Sequence, residues 1–155
     1  MDRRTWIALA VLALSAGLFL AGVIKKMQHA SAARSAKRAI AVVPKGTTLT
    51  WWEVVHRGAE QAGKDFNYEI IWVGPDLETD RARQIQAVED VITRQAQAVV
   101  LGPNDSKALA RTVEAVKEAG LPCVIIDSPV DTDVYDAFVA TDNYAGGAEA
   151  ARLLG

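Results

Sequence analysis

The feature that most constrains the fold is an alternation of short apolar runs with helix-like stretches along residues 39–155. Each apolar run ends at a polar, Gly- or Pro-rich corner. The runs predict strands at residues 39–43, 68–73, 98–101, 123–126 and 135–140. Strands joined by helices of this length make right-handed crossovers, with helices on both faces of a parallel sheet. The pattern therefore predicts an α/β fold with a doubly wound parallel sheet, whose ligands bind outside the carboxyl ends of the strands.

Composition excludes several functional classes. The chain has 155 residues, enough for one ordinary domain, and a net charge of −2 with no basic excess, so no nucleic-acid partner is predicted. Its single cysteine, Cys123, permits no disulfide within the chain. His29 and His56 are solitary, so neither a metal site nor a cofactor is predicted. Residues 44–48 read PKGTT, which fits neither a dinucleotide-binding loop nor a P-loop, and we predict no enzymatic activity.

The N-terminus predicts export across a membrane. Residues 5–24 carry no charge, Arg3 and Arg4 precede them, and a small-residue cleavage site follows at residues 30–32. The apolar run approaches the length of about 20 residues that spans a bilayer. We therefore expect an apolar export or anchor helix, with residues 1–32 a signal peptide or a membrane anchor and residues 33–38 a linker. The chain is expected to touch the membrane only through this segment.

The helices are predicted from apolar spacing and capping residues. Thr79 or Asp80 is expected to cap the second helix, Asp105 or Ser106 the third, and Asp142 the last, which covers residues 143–154. The expected inward-facing residues are Trp52, Val55, Ala59, Ala62 and Phe66 in the first helix, Ile85, Val88 and Ile92 in the second, and Leu109, Val113 and Val116 in the third.

The corners carry residues suited to sugar binding, which needs flat apolar surfaces and carboxylates that accept hydroxyl hydrogen bonds. Trp51 and Trp52 follow the first corner, and Asp127 with Ser128 closes the fourth strand. Each has a structural alternative. Trp52 fits the inward-facing stripe of its helix, whereas Trp51 lies off that stripe. Asp127 has no local basic partner and also suits a turn.

Four sequence blocks resemble one known family in order and spacing. They are residues 51–60, beginning with the aromatic pair and including Val55, Gly58, Ala59 and Glu60; residues 101–106, LGPNDS; residues 122–128, PCVIIDS; and residues 139–147, VATDNYAGG. Together they make residues 39–155 similar to the N-terminal lobe of type I periplasmic binding proteins of the ribose/galactose class. On this resemblance the second lobe is absent from the chain.

The resemblance implies capture of a sugar or related polyol for an ABC importer, with an ABC permease as partner and a periplasmic or other extracytoplasmic location. It gives Trp51 the role of stacking aromatic, Trp52 that of its hydrophobic neighbour and Asp127 that of the acid that binds sugar hydroxyls. Thr50 and Ser128 complete the predicted ligand-binding set. Ser128 departs from the basic residue of the ribose-type proteins, and Leu49 with Thr50 replaces a polar residue and proline.

Three alternatives stay open at this point. A periplasmic receptor that senses a sugar or an autoinducer shares the fold. An enzyme of flavodoxin-like topology shares the architecture, although no catalytic constellation supports it. A truncated, non-binding remnant would carry the same sequence blocks without the activity. On the expectation of a single lobe, the chain would bind its solute weakly and leave one edge of the sheet exposed.

Overall fold

The structure, a computed structural model, describes residues 38–94 and 96–155, which contain five strands and four helices. Their bounds are β1 Ala39–Val43, α1 Thr50–Phe66, β2 Glu69–Trp72, α2 Arg81–Thr93, β3 Ala98–Leu101, α3 Ala110–Glu118, β4 Cys123–Ile126, β5 Ala137–Val139 and α4 Asn143–Leu154. The predicted export helix and nearly all of the predicted linker lie outside the described residues. None of the helices in the described ranges is long and apolar enough to cross a membrane.

The five strands form one parallel sheet in the order β2-β1-β3-β4-β5. This order is the flavodoxin-like one, and it confirms the predicted α/β fold. The register pairs Val43 with Leu101 and Leu101 with Ile125, so β1, β3 and β4 end at the same edge of the sheet. The corners that follow these strands are therefore neighbours in space.

The core lies where the central strands meet α2 and α3. Val43, Leu101 and Ile125 are fully buried, as expected for strands covered on both faces. The inward-facing residues predicted for α3 are also fully buried: Leu109, Val113 and Val116. In α2 the buried apolar positions are Ala87, Val88 and Val91, while Ile85 and Ile92 pack half-buried against the margin of the core.

The inward stripe predicted for α1 is wrong in the second half of the helix. Ala62 is exposed and Phe66 is 72% exposed. The helix instead packs through Gly63, where a β-carbon would lie 2.7 Å from Ile70 Cγ1, and through His56, whose ring stacks on Trp72 at 4.3 Å. A glycine and a histidine thus hold positions that an apolar pattern does not identify.

The β5 side of the fold is open to solvent. All three residues of β5 are exposed, and α4 has no buried residue. Asp142 caps α4 as predicted, since its Oδ1 accepts a hydrogen bond of 2.9 Å from the backbone N–H of Ala145. The strand is shorter than the predicted residues 135–140, because only three of its residues pair with β4.

Candidate functional site

The first turn of α1 places two tryptophans in different environments. The backbone N–H of Trp52 donates to the carbonyl of Leu49 at 2.9 Å and so begins the helix. Successive helical residues point about 100° apart, so the two side chains leave the helix in different directions. Trp51 is 58% exposed and Trp52 is 1% exposed.

Trp52 is held by contacts at both ends of its indole. Its Nε1 donates a hydrogen bond of 2.6 Å to Glu78 Oε1, which satisfies the one polar atom of a buried ring. The other end of the ring lies against Gly102 at the end of β3. Most of the contacts of Trp52 are therefore those of a core residue, which is the structural alternative that the sequence offered.

A cavity of about 390 Å³ opens at the carboxyl ends of β4 and β5. Residues from α1 form one side of it: Trp51, Trp52 and Val55. Residues that end β4 and β5 form the other side: Ile126, Asp127, Val139, Ala140 and Thr141. Its volume lies within the range of about 300–1,000 Å³ that is typical of small-molecule sites, and like them it combines apolar walls with few polar groups.

Asp127 occupies a left-handed turn at the end of β4. Its φ of 66° lies in the left-handed region, and its backbone N–H donates to the carbonyl of Val139 at 3.0 Å. Asp127 lines the cavity, and its side chain is one-third exposed. Asp127 therefore has the turn role that the sequence offered as one alternative, and it also lines the cavity.

Lys45 is the partner of Asp127, and sequence reasoning missed it. Its Nζ lies 2.6 Å from Asp127 Oδ2 and donates a hydrogen bond of 2.6 Å to Ser128 Oγ. Ser128 Oγ in turn donates to Asp127 Oδ2 at 3.0 Å. The available signal was topological, because Lys45 follows β1 and Asp127 follows β4 at the same edge of a parallel sheet.

Gln84 of α2 fixes the two corners beside the site. Its side chain is fully buried, and its Nε2 donates to the carbonyls of Pro44 and Gly102, each at 2.8 Å. Its Oε1 accepts from the backbone N–H of Asn104 at 2.9 Å. One amide therefore satisfies three backbone groups from the corners after β1 and β3.

The remaining candidates lie beside the cavity or apart from it. Thr50 is exposed at the first position of α1, outside the residues that line the cavity, and Ser128 lies half-buried beside the Asp127 carboxylate. Asp105 serves a turn that precedes α3. Backbone hydrogen bonding from Ala108, together with the Arg81 side chain, lowers the pKa of the Asp105 carboxyl.

Comparison with known proteins identifies the family to which this fold belongs. Residues 40–155 match the periplasmic binding protein domain family. The D-ribose/D-allose-binding protein of Pseudomonas aeruginosa is 34% identical over an alignment of 162 residues, covering 99% of this chain and 47% of that protein. The ribose import binding protein of Bacillus subtilis is 33% identical over 98 residues, which cover 63% of this chain and 32% of that protein. The chain thus spans less than half the length of these relatives.

Solved structures show the same lobe. A carbohydrate transporter solute-binding protein from Agrobacterium radiobacter, in complex with D-arabinose, has a TM-score of 0.71 and 34% identity over 76% of this chain and 40% of that one. An ABC transporter solute-binding protein from Agrobacterium vitis with bound D-fucose has a TM-score of 0.67 and 39% identity over 74% of this chain and 41% of that one. The chain belongs to the periplasmic binding protein domain family, as one of its type I proteins.

Proposed function

We propose that this chain supplies one wall of a sugar site in an extracytoplasmic solute-binding protein that delivers its ligand to an ABC importer. The observation that carries the proposal is that Trp51 and Asp127 line the same largely apolar cavity. The cavity lies at the carboxyl ends of parallel strands, where ligands of such sheets bind.

Trp51 and Asp127 suit the two kinds of group that a sugar presents, apolar C–H groups and polar hydroxyls. An exposed indole offers a large flat area with few rotatable bonds for stacking on sugar C–H groups. Lys45 and Ser128 both contact Asp127 Oδ2, and within the described ranges no residue donates to Oδ1. That oxygen is available to accept a hydroxyl, and such charge-assisted hydrogen bonds are stronger than neutral ones.

The relatives support a pentose or hexose as the ligand class. Proteins similar to this chain bind D-ribose and D-allose or were solved with D-arabinose or D-fucose. Within this proposal Trp51, Trp52 and Asp127 form the ligand wall, while Thr50 and Ser128 flank it. An ABC permease is the protein partner, and no nucleic acid takes part.

The proposal is tested by isothermal titration of the full-length protein that carries this sequence with D-ribose, D-allose, D-arabinose and D-fucose. We expect saturable heat with at least one of them. Glycerol and citrate, a small polyol and an organic acid, serve as controls. Binding of none of the sugars would contradict the proposed function.

The domain arrangement forms part of the same proposal: export or anchoring by residues 1–32, a linker at residues 33–38 and a ligand-binding lobe at residues 39–155. The uncharged run at residues 5–24 behind two arginines supports it. Residues 1–38 fused to a reporter that is active only in the periplasm should give activity, while a fusion of residues 33–38 should not. A reporter that stays inactive behind residues 1–38 would contradict export.

A further inference from the structure

The candidate site has an unusual distribution of charge. Within the described part of the chain, Asp127 is the only charged residue among those that line the cavity. Its counter-charge, the Lys45 ammonium, does not line the cavity but contacts the Asp127 carboxylate at 2.6 Å. A ligand in the cavity therefore meets a carboxylate whose charge is balanced by a cation beside it.

The position of Lys45 is fixed by the fold. The carbonyl of the preceding residue, Pro44, accepts a hydrogen bond from the fully buried Gln84 side chain. The Lys45 side chain is 21% exposed and is held by two oxygens, Asp127 Oδ2 and Ser128 Oγ. Lys45 thus acts on a ligand through Asp127, as a positioning residue.

We propose that Lys45 sets the charge selectivity of this site, so that the site accepts neutral sugars and rejects amino and imino sugars. The inference rests on the proposed function and deepens it. An unbalanced carboxylate in a cavity attracts a cationic ligand, and an opposite charge within about 4–6 Å favours the charged form of a ligand amine. The Lys45 ammonium cancels that attraction and repels a second cation, whereas a neutral hydroxyl depends only on an oriented acceptor.

The geometry assigns Ser128 a supporting part. Its hydroxyl accepts from Lys45 Nζ and donates to Asp127 Oδ2, so it completes a closed set of three hydrogen-bonded side chains. Because the contacts that Lys45 and Ser128 make with Asp127 both engage Oδ2, they orient the carboxylate and leave Oδ1 without a donor among the described residues. Removing Ser128 therefore loosens the carboxylate without changing the charge of the site.

The test compares neutral sugars with protonated analogues on the full-length protein. D-Glucose is paired with D-glucosamine, D-galactose with D-galactosamine, and D-ribose with imino-D-ribitol, each titrated at a pH where the amine is protonated. The variants are Lys45→Met, which removes the charge, and Lys45→Arg, which keeps it. Lys107→Met, which removes an exposed lysine of the turn before α3, is the matched control.

We expect wild-type protein to bind the neutral member of a pair more tightly. Lys45→Met should shift the affinity ratio by about tenfold or more toward the amine, the size of effect that a hydrogen bond to a charged group carries. Lys45→Arg and Lys107→Met should keep the wild-type ratio. If Lys45→Met does not fold, Lys45→Gln replaces it, with thermal unfolding recorded for every variant.

The outcomes separate this inference from the proposed function. A wild-type protein that binds a neutral sugar, with an unchanged ratio in a folded Lys45→Met or Lys45→Gln variant, overturns the inference and leaves the function standing. A wild-type protein that binds the amine at least as tightly as the neutral sugar also overturns it. Wild-type protein that binds no member of any pair contradicts the function, and the inference falls with it.

Discussion

The indole of Trp52 lies directly over the backbone of Gly102, so closely that a β-carbon on Gly102 would be 2.9 Å from Trp52 Cη2. The ring cannot easily withdraw, because its Nε1 is hydrogen-bonded to Glu78 and its surface is 1% exposed. This contact joins the beginning of α1 to the residue that follows β3.

Gly102→Ala should therefore destabilise the protein by about 1–3 kcal/mol, the usual cost of forcing an extra methyl group into a packed site. Chemical denaturation of the full-length protein measures the change in the free energy of unfolding. Gly58→Ala is the matched control, since a β-carbon there meets nothing within 4 Å. Gly58 lies inside α1, so that change should stabilise by about 0.5–1 kcal/mol. Equal effects of the two substitutions would contradict the packing argument.

Gln84→Met should lower the free energy of unfolding by about 2–4 kcal/mol, because it leaves two buried carbonyls and one N–H without their partner. Gln86→Met, which removes only an exposed hydrogen bond to Asp90, should be close to neutral. Since Gln84 holds the carbonyl of the residue before Lys45, we also expect weaker sugar binding in the Gln84 variant. A Gln84 variant as stable as the Gln86 variant would contradict a stabilising role for the three hydrogen bonds of Gln84.

Trp51→Ala should weaken sugar binding by about 1–3 kcal/mol, as expected for truncation of an aromatic ligand contact. Its exposure of 58% means that little packing is lost, so the free energy of unfolding should change far less than the affinity. Val54→Ala, at a similarly exposed position of the same helix, is the control for titration calorimetry. Unchanged affinity in Trp51→Ala would remove this residue from the ligand wall.

Cys123 gives a pH-dependent prediction. Burial, with a smaller contribution from the nearby Asp136 charge, raises the pKa of its thiol from an ordinary value of 9.0 to about 11. Because the folded state holds this proton more tightly, the associated stability is complete below pH 9 and is lost as the pH rises through about 11. The loss should be on the order of 2 kcal/mol and should be absent from Cys123→Ala.

Thiol alkylation provides an independent readout of the same property. The thiolate is the reactive form, so iodoacetamide should leave Cys123 unmodified in the native protein at pH 8 and modify it rapidly in urea. Mass spectrometry measures the modified fraction. Rapid alkylation without denaturant would show that Cys123 is accessible.

The strands most fully covered by helices were the ones most accurately predicted. β1, β3 and β4 have the predicted bounds because each is a continuous apolar run, as strands buried on both faces require. The second half of the α1 stripe was wrong because Gly63 and His56 make the contacts to β2 and its neighbourhood. Their packing depends on the shape of the partner strand, which apolar periodicity does not encode.

The candidate site likewise contains residues that the sequence could predict and a contact that it could not. The corner residues Trp51 and Asp127 could be proposed from their positions after strands, since parallel topology alone brings such corners together. The contact between Lys45 and Ser128 joins residues 83 positions apart and depends on side-chain geometry. A search for a basic partner near Asp127 in the sequence could not find Lys45, which lies in the corner after β1.

The backbone of Asp127 also limits how this site can diverge among descendants of the protein. A φ of 66° is readily adopted only by glycine, asparagine and aspartate. Substitutions that survive at this position are thus confined to a carboxylate, an amide or no side chain. A lineage that acquires a new sugar preference would exchange acid for amide here or alter Lys45 and Ser128, whose backbones carry no such restriction. Substitutions that change the site would then occur at Lys45 and Ser128 more often than at Asp127.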